Sequence, residues 1–323
     1  MKVSVVGAGV MGLAAARAIA QRGHDVTVHE QFELGHTRGS SHGTSRIFRL
    51  SYADESWIRL AQRAYELWRV LERESDRQLL VKYGLLDVET DAAERLAAFV
   101  STGIPYEELT PAQARERFGV AYDDVERLVS TSDAGIVLAA DAMEAFAAGA
   151  RAAGAEIREH VRIESLDAVV GDRVVVAAGG WAPKLLEAAG LELDARTTRE
   201  TTLYFAGDPI PSIIDELDGQ FYALTAPGIG VKAGRHKAGR EADPDDDDPR
   251  PDEHIIDAVT QWVARRLTRV DPTPLRSETC MYTNVEDDRF VCERRGRYVI
   301  GSACSGHGFK FAPAVGEILA DAL

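Results

Sequence analysis

The first thirty residues contain the feature that most constrains how this chain can fold. Lys2–Val6 is a short apolar segment, the glycine pattern GAGVMG follows at positions 7–12, and Leu13–Arg22 has the alanine-rich spacing of a helix. A second apolar segment, Val26–His29, then ends at Glu30. This order predicts a strand–turn–helix–strand unit with GxGxxG at its turn, which is the arrangement that binds a dinucleotide.

The chemistry of this unit depends on its glycines and on one acid. The first glycine permits the tight turn, the second lets the backbone approach a pyrophosphate, and the third lets the helix pack close to the sheet. The helix N-terminus offers unpaired N–H groups and about half a positive charge to the phosphates. The acid can accept hydrogen bonds from a ribose diol. The expected cofactor-binding residues are Gly7, Gly9, Val10, Met11, Gly12 and Glu30. The unit alone leaves NAD, NADP and FAD open.

Composition limits the partners of the chain. Its 323 residues suffice for two domains, and the net charge of −15 argues against a nucleic-acid partner or an anionic membrane surface. No apolar run approaches the roughly eighteen residues that span a bilayer, and no signal peptide fits ahead of Lys2, so we expect a cytoplasmic protein. The three cysteines are too widely spaced for a CxxC pair, and their odd number argues against a disulfide framework. We expect no metal site.

The balance of basic and acidic residues suggests an environment. Only six of the 37 basic residues are lysines, and an aspartate-rich run occupies positions 243–248. An acidic, lysine-poor surface suits a salt-filled cytoplasm, so a halophilic source is our hypothesis. A GC-rich genome would explain the preference for arginine equally well.

The remaining pattern predicts two kinds of sheet. Asp141 is expected to cap a helix over Ala142–Ala153, Val161–Glu164 to form a strand, and Gly39–Arg49 to form a polar loop. The apolar run Arg173–Ala178 is typical of a buried parallel strand. After residue 193 the strands are short and partly alternating, which favours an antiparallel sheet. The predicted fold class is therefore a doubly wound, Rossmann-like α/β domain with a second, mainly antiparallel-sheet domain.

Five further stretches resemble motifs of the monomeric sarcosine oxidase family, a branch of the FAD-dependent D-amino-acid-oxidase superfamily. They are SSHGTSRIFR (40–49), VVVAAGGW (174–181), FYALTAPGIGVKAGRH (221–236), CMYT (280–283) and SGHGFKF (305–311). They occur in the family's order and cover almost the whole chain, although the segment between Val161 and Arg173 is shorter than the family's. The resemblance implies FAD as the cofactor, an FAD-binding domain from residues 1–76, 133–194 and 288–323, and a substrate domain from 77–132 and 195–287.

The resemblance also assigns residues. It implies covalent attachment of FAD through Cys280, a grip on the substrate carboxylate by Arg49 and Lys310, and activation of dioxygen by Lys232. Four pocket residues are left open between proton transfer and shaping of the site: His236, His307, Tyr222 and Tyr282. The remaining residues expected at the cofactor are Ser41, His42, Ser45, Arg46, Val161, Gly179, Trp181, Gly306 and Gly308, with Lys310 beside the flavin as well. Cys292 and Cys304 match no family motif and are expected in the core.

The activity implied is that of an FAD oxidase of secondary or N-methyl amino acids. A hydride would pass to flavin N5, the imine would hydrolyse, and dioxygen would be reduced to hydrogen peroxide. The expected partners are a small amino acid and dioxygen, and the protein is expected to be a monomer. Three alternatives remain: an FAD-dependent amino acid dehydrogenase with another acceptor, a nicotinamide-dependent dehydrogenase, and a degenerate flavoprotein without catalytic activity.

Overall fold

A computed structural model describes residues 1–217, 219–246 and 248–323, so Asp247 of the aspartate-rich run lies outside the described residues. The strands are β1 (Lys2–Val6), β2 (Asp25–His29), β3 (Ser45–Phe48), β4 (Leu80–Lys82), β5 (Leu85–Val88), β6 (Glu107–Leu109), β7 (Leu128–Thr131), β8 (Gly135–Leu138), β9 (Glu156–Arg158), β10 (Arg173–Val176), β11 (Ala195–Gly207), β12 (Ser212–Asp215), β13 (Phe221–Ala226), β14 (Gly230–Arg235), β15 (Arg240–Glu241), β16 (Val270–Val285), β17 (Val291–Arg295) and β18 (Tyr298–Ser302). The helices are α1 (Val10–Gln21), α2 (Glu55–Ser75), α3 (Ala93–Thr102), α4 (Pro111–Phe118), α5 (Ala139–Ala152), α6 (Ala182–Ala188), α7 (Glu253–Arg266) and α8 (Ala312–Asp321).

The first sheet has the strand order β17-β18-β10-β1-β2-β9 in the described part of the chain. All neighbouring pairs are parallel except β17 with β18. Alternate residues of β10 supply two cores, because successive side chains point to opposite faces. Val175 packs with the helices α1, α5 and α8, whereas Val174 and Val176 pack with the apolar side of α6. Apolar cover on both faces explains the uninterrupted valine run of β10.

The N-terminal unit has the predicted form. β1 pairs with β2, and α1 begins immediately after the glycine turn. Gly7 has φ of +99°, and a Cβ built at Gly12 would lie 1.9 Å from the Gly7 carbonyl oxygen. The third glycine is therefore required because α1 starts in contact with the turn that precedes it.

The second sheet is mainly antiparallel and has the order β15-β11-β14-β13-β12-β5-β7-β6, with β16 paired to β11. β12 and β5 form its parallel pair. One face is covered by α7, where Trp262 stacks on Phe221 and donates to Asp215 at 2.7 Å. The other face, which includes Tyr204 and Lys232, turns towards the first sheet and borders the cavity described below. The two sheets confirm the predicted fold class.

Several local predictions are wrong. Helix α5 begins at Ala139, with Leu138 at its N-cap, so Asp141 lies in the first turn instead of capping it. Val161–Glu164 is not a strand; the Val161 amide donates to the Glu30 carbonyl at 2.7 Å in an irregular segment. The loop expected over Gly39–Arg49 contains β3, which pairs with β8 in a small third sheet. These segments are short, so contacts with distant strands decide their conformation.

The described helices include none that is both long and apolar enough to cross a membrane.

Candidate active site

A single large cavity runs from the glycine turn to the inner face of the second sheet. Its volume is about 1220 Å³, which exceeds the roughly 300–1,000 Å³ of an ordinary small-molecule pocket. Every predicted site residue except Gly12 lines it: Gly7, Gly9, Val10, Met11, Glu30, Ser41, His42, Ser45, Arg46, Arg49, Val161, Gly179, Trp181, Tyr222, Lys232, His236, Cys280, Tyr282, Gly306, His307, Gly308 and Lys310. Gly12 instead packs under the turn. The fold thus brings together residues from both ends of the sequence.

The glycine end of the cavity has the features of a dinucleotide cradle. Gly9 is the N-cap of α1 and carries no side chain to block the first amides of the helix. The Ser41 hydroxyl accepts from the Val10 amide at 3.0 Å, so one of these amides is already in a hydrogen bond. A phosphate could take the same position because helix N-termini favour anions.

Glu30 is buried beside this turn. Its two carboxylate oxygens accept from the Ala8 amide at 2.7 Å and the Phe32 amide at 3.0 Å, and the His36 ring lies 3.6 Å away. The carboxylate therefore fixes the turn as well as lining the cavity. Burial lowers the pKa of His36, so that ring is held neutral against Glu30.

An ionic cluster forms another part of the cavity wall. Asp245 accepts two hydrogen bonds from Arg162, at 2.9 and 3.2 Å, and one from the Trp181 indole at 2.9 Å. Lys184 lies 3.5 Å from the same carboxylate. Arg162 holds the pKa of Asp245 at about 2, although partial burial opposes the shift. The acidic loop that follows β15 thus contacts Arg162 and Trp181 here.

The segment 39–49 is held in shape by Arg46. Its guanidinium donates to the carbonyl oxygens of Ser40 and His42, at 2.8 and 2.5 Å, and to that of Ser45 at 3.0 Å. The Ser45 hydroxyl donates to the Thr225 carbonyl at 2.8 Å, which ties β3 to the second sheet. Burial, aided by Arg46, lowers the pKa of His42 to about 4, so this histidine is neutral at pH 7.

The inner face of the second sheet places Lys232 in the cavity wall. Lys232 on β14 lies opposite Tyr204 on β11, and Tyr204 lies opposite Arg276 on β16. The Lys232 Nζ is 3.5 Å from Glu278 Oε1, which also accepts from the Tyr204 hydroxyl. Burial, followed by the nearby Arg46 charge, lowers the pKa of Lys232 to about 8.

Cys280 follows Glu278 on the same face of β16, two residues along. Its thiol lines the cavity, and burial raises its pKa. Cys304 also lines the cavity, and its Sγ accepts from the Thr283 amide at 3.4 Å, so the expectation that Cys304 belongs to the core is wrong. Cys292 is partly buried and packs against the core of the first sheet.

Two cations occupy the region where a carboxylate is expected. Lys310 is only 5% exposed, and its Nζ donates to the His307 carbonyl at 2.7 Å. Burial, with the charge of Arg49, holds its pKa well below the usual range. The Arg49 guanidinium stacks over the Tyr52 ring at 4.4 Å and lies 3.7 Å from the buried Asp87. Its Nη1 is buried without a hydrogen-bond acceptor. That nitrogen is the one nearest Asp87 Oδ1, but Arg49 also lines the cavity, so its guanidinium can contact an anionic ligand there.

The four aromatic and imidazole residues form one group around these cations. His236 and Tyr282 have ring centroids 5.6 Å apart, and a Cβ at Gly306 would come within 2.3 Å of Tyr282. Burial raises the pKa of Tyr222 and of Tyr282, and it lowers the pKa of His236 to about 4. All three are therefore neutral at pH 7.

His307 has a defined tautomer. Its Nε2 lies 3.2 Å from the Asp288 carbonyl, which can only accept, so Nε2 carries the proton. Nδ1 is then an acceptor, and it is buried without a partner. Burial lowers the pKa of the ring, which keeps it neutral.

Sequence reasoning missed the residues that act behind the cavity wall. Glu278 pairs with the predicted residue Lys232 and accepts a hydrogen bond from Tyr204, and Asp87 pairs with the predicted residue Arg49. None of these three partners lies inside a quoted motif. Glu278 is two residues before the CMYT motif, and this spacing was the one available signal.

A cavity with a dinucleotide-type glycine turn and the cations Arg49, Lys232 and Lys310 in its wall defines a cofactor-dependent enzyme. A family model described as FAD dependent oxidoreductase matches residues 2–322. Peroxisomal sarcosine oxidase from Mus musculus is 31% identical over 352 residues, covering 98% of this chain and 90% of the relative. The human peroxisomal sarcosine oxidase is 29% identical over 353 residues, with the same two coverages.

Solved structures also resemble this chain. NikD, described as an unusual amino acid oxidase essential for nikkomycin biosynthesis, superimposes in its open form with a TM-score of 0.88 at 26% identity, covering 99% of this chain and 92% of that one. L-proline dehydrogenase from P. horikoshii has a TM-score of 0.83 at 22% identity, with coverages of 99% and 92%, and shows the shared fold. The chain belongs to the FAD-dependent oxidoreductase family. This confirms the predicted family, enzyme class and cofactor.

The cavity fits FAD on its own features. Gly9 leaves the start of α1 open, Gly7 lets the turn pack against the Ala177 carbonyl, and the volume admits a ligand larger than a single small molecule. The ring end would then meet Lys232 and Cys280.

Proposed function

We propose that this protein is an FAD-dependent oxidase of secondary or N-methyl amino acids. The observation that carries the proposal is the pairing of Arg49 with the buried Lys310 at the cavity end opposite the glycine turn. Two cations that line one cavity suit a substrate carboxylate. The relatives named sarcosine oxidase support the choice of amine.

The residues of the chain would first orient the substrate. Arg49 can bind a carboxylate with a planar fork, and Lys310 adds a point charge, so the α-carbon and the amine take a fixed direction. The same two charges disfavour an ammonium group nearby. We therefore expect the amine to bind in its neutral form, with His307 Nδ1 available to accept its N–H.

The redox step depends on the cofactor. FAD held between the glycine turn and Lys232 would supply the redox chemistry, as acceptor of a hydride from the carbon next to nitrogen and donor of two electrons to dioxygen. Lys232 supplies a buried positive charge where the reduced oxygen species develops negative charge. At pH below about 8 the lysine is protonated and can stabilise that charge. The neutral Tyr222, Tyr282 and His236 exclude water and shape the pocket around the amine substituent.

The finer parts of the proposal concern the covalent attachment of FAD, the division into domains, the oligomeric state and the cellular compartment. Cys280 lines the cavity on the strand that also holds Glu278, which supports a thioether to the flavin. The division into an FAD domain and a substrate domain follows the two large sheets. A monomer in the cytoplasm, with dioxygen as acceptor and no nucleic-acid partner, completes the proposal.

The deciding experiment is a peroxide-coupled screen of secondary and N-methyl amino acids with the purified holoprotein. We expect a yellow protein, bleaching by at least one such substrate without oxygen, and one peroxide formed per substrate consumed in air. Rapid dye reduction without peroxide would establish the dehydrogenase alternative. A yellow protein that no amino acid bleaches would establish the degenerate flavoprotein, and a colourless protein would contradict the role of FAD.

A further inference from the structure

Lys232 is held by a carboxylate that none of the assigned roles uses. Glu278 lies on β16, opposite Thr202 of β11 and one diagonal step from Tyr204. Its Oε1 is 3.5 Å from Lys232 Nζ and accepts from the Tyr204 hydroxyl, while its Oε2 is 3.8 Å from Arg276. The Lys232 side chain is 6% exposed, and that of Glu278 is 19% exposed. The ammonium is thus deep in the wall and the carboxylate lies behind it, nearer to solvent.

The local packing leaves little freedom in this pair. The Tyr204 ring lies between two cations, with Lys232 Nζ 5.6 Å and the Arg276 guanidinium 4.3 Å from its centroid. A Cβ at Gly43 would lie 3.1 Å from Glu278 Oε1 and 3.6 Å from Lys232 Nζ. The bare backbone of the 39–49 segment therefore closes over the ion pair. Within the described residues, Glu278 is the carboxylate that orients the lysine.

We propose that Glu278 is a positioning residue that orients the Lys232 ammonium and keeps it protonated during the reaction with dioxygen. The proposal rests on the oxidase activity proposed above and adds the group that controls its lysine. A buried lysine without a counter-charge tends to lose its proton, because burial disfavours the charged form. The reduction O₂ + 2 e⁻ + 2 H⁺ → H₂O₂ takes its electrons from the reduced cofactor, and Glu278 would change only the charge present beside it.

The titration of Lys232 can be distinguished from the titrations of the groups around it. The groups that face the ion pair from neighbouring elements are Arg46 of β3, His42 of the preceding loop, Tyr204 of β11, and Arg276 and Cys280 of β16. The pKa of His42 is about 4, that of Tyr204 is raised to about 12 by burial and Glu278, and burial raises that of Cys280. Burial opposes ionisation of Glu278, but Lys232 and Tyr204 outweigh it and lower the pKa of that carboxyl. Between pH 6 and 9, Lys232 is the member of this cluster that titrates.

The test uses Glu278→Gln, which removes the charge and keeps the shape. With only six lysines in the chain, ¹³Cε-lysine labelling gives a resolvable NMR spectrum, and Lys232→Met assigns the signal. We expect the wild-type Lys232 signal to titrate near pH 8 and the variant signal to titrate about one unit lower or more. Glu293→Gln, an exposed carboxylate paired with Arg295, is the charge-matched control and should leave the signal unchanged.

Stopped-flow reoxidation of the reduced holoenzyme gives the functional half of the test. The reoxidation rate should fall as pH rises through the Lys232 pKa, and the fall should move to lower pH in Glu278→Gln by the same amount as the NMR titration. Reduction by substrate should change much less, and Glu278→Asp should recover part of the shift.

An unshifted NMR titration overturns the proposal, as does a shifted titration that leaves the pH profile of reoxidation in place. Equal slowing of both half-reactions would make Glu278 a structural residue only. A wild-type enzyme that does not react with dioxygen would contradict the proposed oxidase function instead, and the NMR titration would then decide the role of Glu278 alone.

Discussion

Buried charge is the property of single residues on which this site depends. Lys232 and Lys310 are both 5% exposed, yet only Lys232 has a carboxylate partner among the residues that the structure describes. Lys310 donates to a carbonyl, and burial holds its pKa well below the usual range, so an anion that binds beside it would favour its charged form. The motifs identified both lysines from the sequence. Glu278 and Asp87 escaped prediction. The partner of Glu278 is set by the register of β14 and β16 on β11, and Asp87 meets Arg49 and Arg95 only through the packing of separate segments.

The covalent bond proposed for Cys280 gives the first prediction at this scale. Acid precipitation of the wild-type holoprotein should leave the yellow colour in the pellet, because a thioether survives denaturation. Cys280→Ser should release the flavin into the supernatant, whereas Cys304→Ser, the neighbouring cavity thiol, should not. Wild-type protein that releases all its flavin would contradict the attachment.

Asp87 gives a second prediction about buried charge. It accepts from the Ser51 hydroxyl and lies between Arg49 and Arg95, 3.7 and 3.5 Å from their guanidinium nitrogens. Asp87→Asn would leave two cations facing each other in the interior, which costs about 3–5 kcal/mol of unfolding free energy. Urea denaturation measures this loss.

The control for Asp87 is Asp321→Asn, because Asp321 is 73% exposed where it pairs with Arg22. That change should stay within about 0.5 kcal/mol. Equal denaturation midpoints for the two variants would show that Asp87 does not compensate the two arginines.

Secondary-structure elements were predictable where their pattern is local. The apolar spacing predicts helices over Ser56–Arg73 and Ile255–Leu267, and α2 and α7 lie close to these bounds. The β1–α1 unit likewise lies close to its predicted bounds. The four-residue strands β3 and β12 lack such a pattern and exist because neighbouring strands pair with them. The prediction that Asp141 caps α5 was wrong for a related reason. Strand β8 runs directly into α5 and leaves no separate cap position.

The turn between β1 and α1 separates two kinds of glycine. A Cβ at Gly9 would meet nothing closer than the Ser41 hydroxyl at 3.4 Å, whereas a Cβ at Gly12 would collide with the Gly7 carbonyl. Gly9→Ala should therefore keep the thermal stability of protein produced under riboflavin starvation and reduce its capture of FAD. Gly12→Ala should reduce both.

Thermal unfolding and flavin absorbance after addition of FAD measure these two effects. If Gly9→Ala lost stability to the same extent as Gly12→Ala, the two glycines would share a packing role and the assignment of Gly9 to the phosphate would be wrong.

At the scale of the whole molecule, the cavity exists because two sheets face each other. The dinucleotide end was predictable from one contiguous motif, but the distance from that motif to Lys232 spans most of the sequence. Only the ordered set of motifs suggested that the far residues share a site, and the structure brings them into the same cavity. The ionic cluster at Asp245 had no sequence signal, because it forms between segments more than sixty residues apart.

The net charge of −15 gives a prediction for the whole molecule. If the acidic surface is an adaptation to salt, screening of its self-repulsion should raise the unfolding temperature between low and molar KCl. Differential scanning calorimetry across that range measures the effect. An unfolding temperature that stays constant or falls would remove the halophilic hypothesis and leave the arginine preference to genome composition.

Strand β16 has a consequence for how this protein can change. Glu278, Cys280 and Tyr282 occupy every second position of this strand and therefore project from the same face. Loss or gain of one residue ahead of them in β16 would turn all three side chains to the opposite face of the sheet. Loss or gain of two residues would keep them on the same face and shift them along the strand. The length of this strand therefore has a parity, and insertions or deletions in it should be tolerated in even numbers before odd ones.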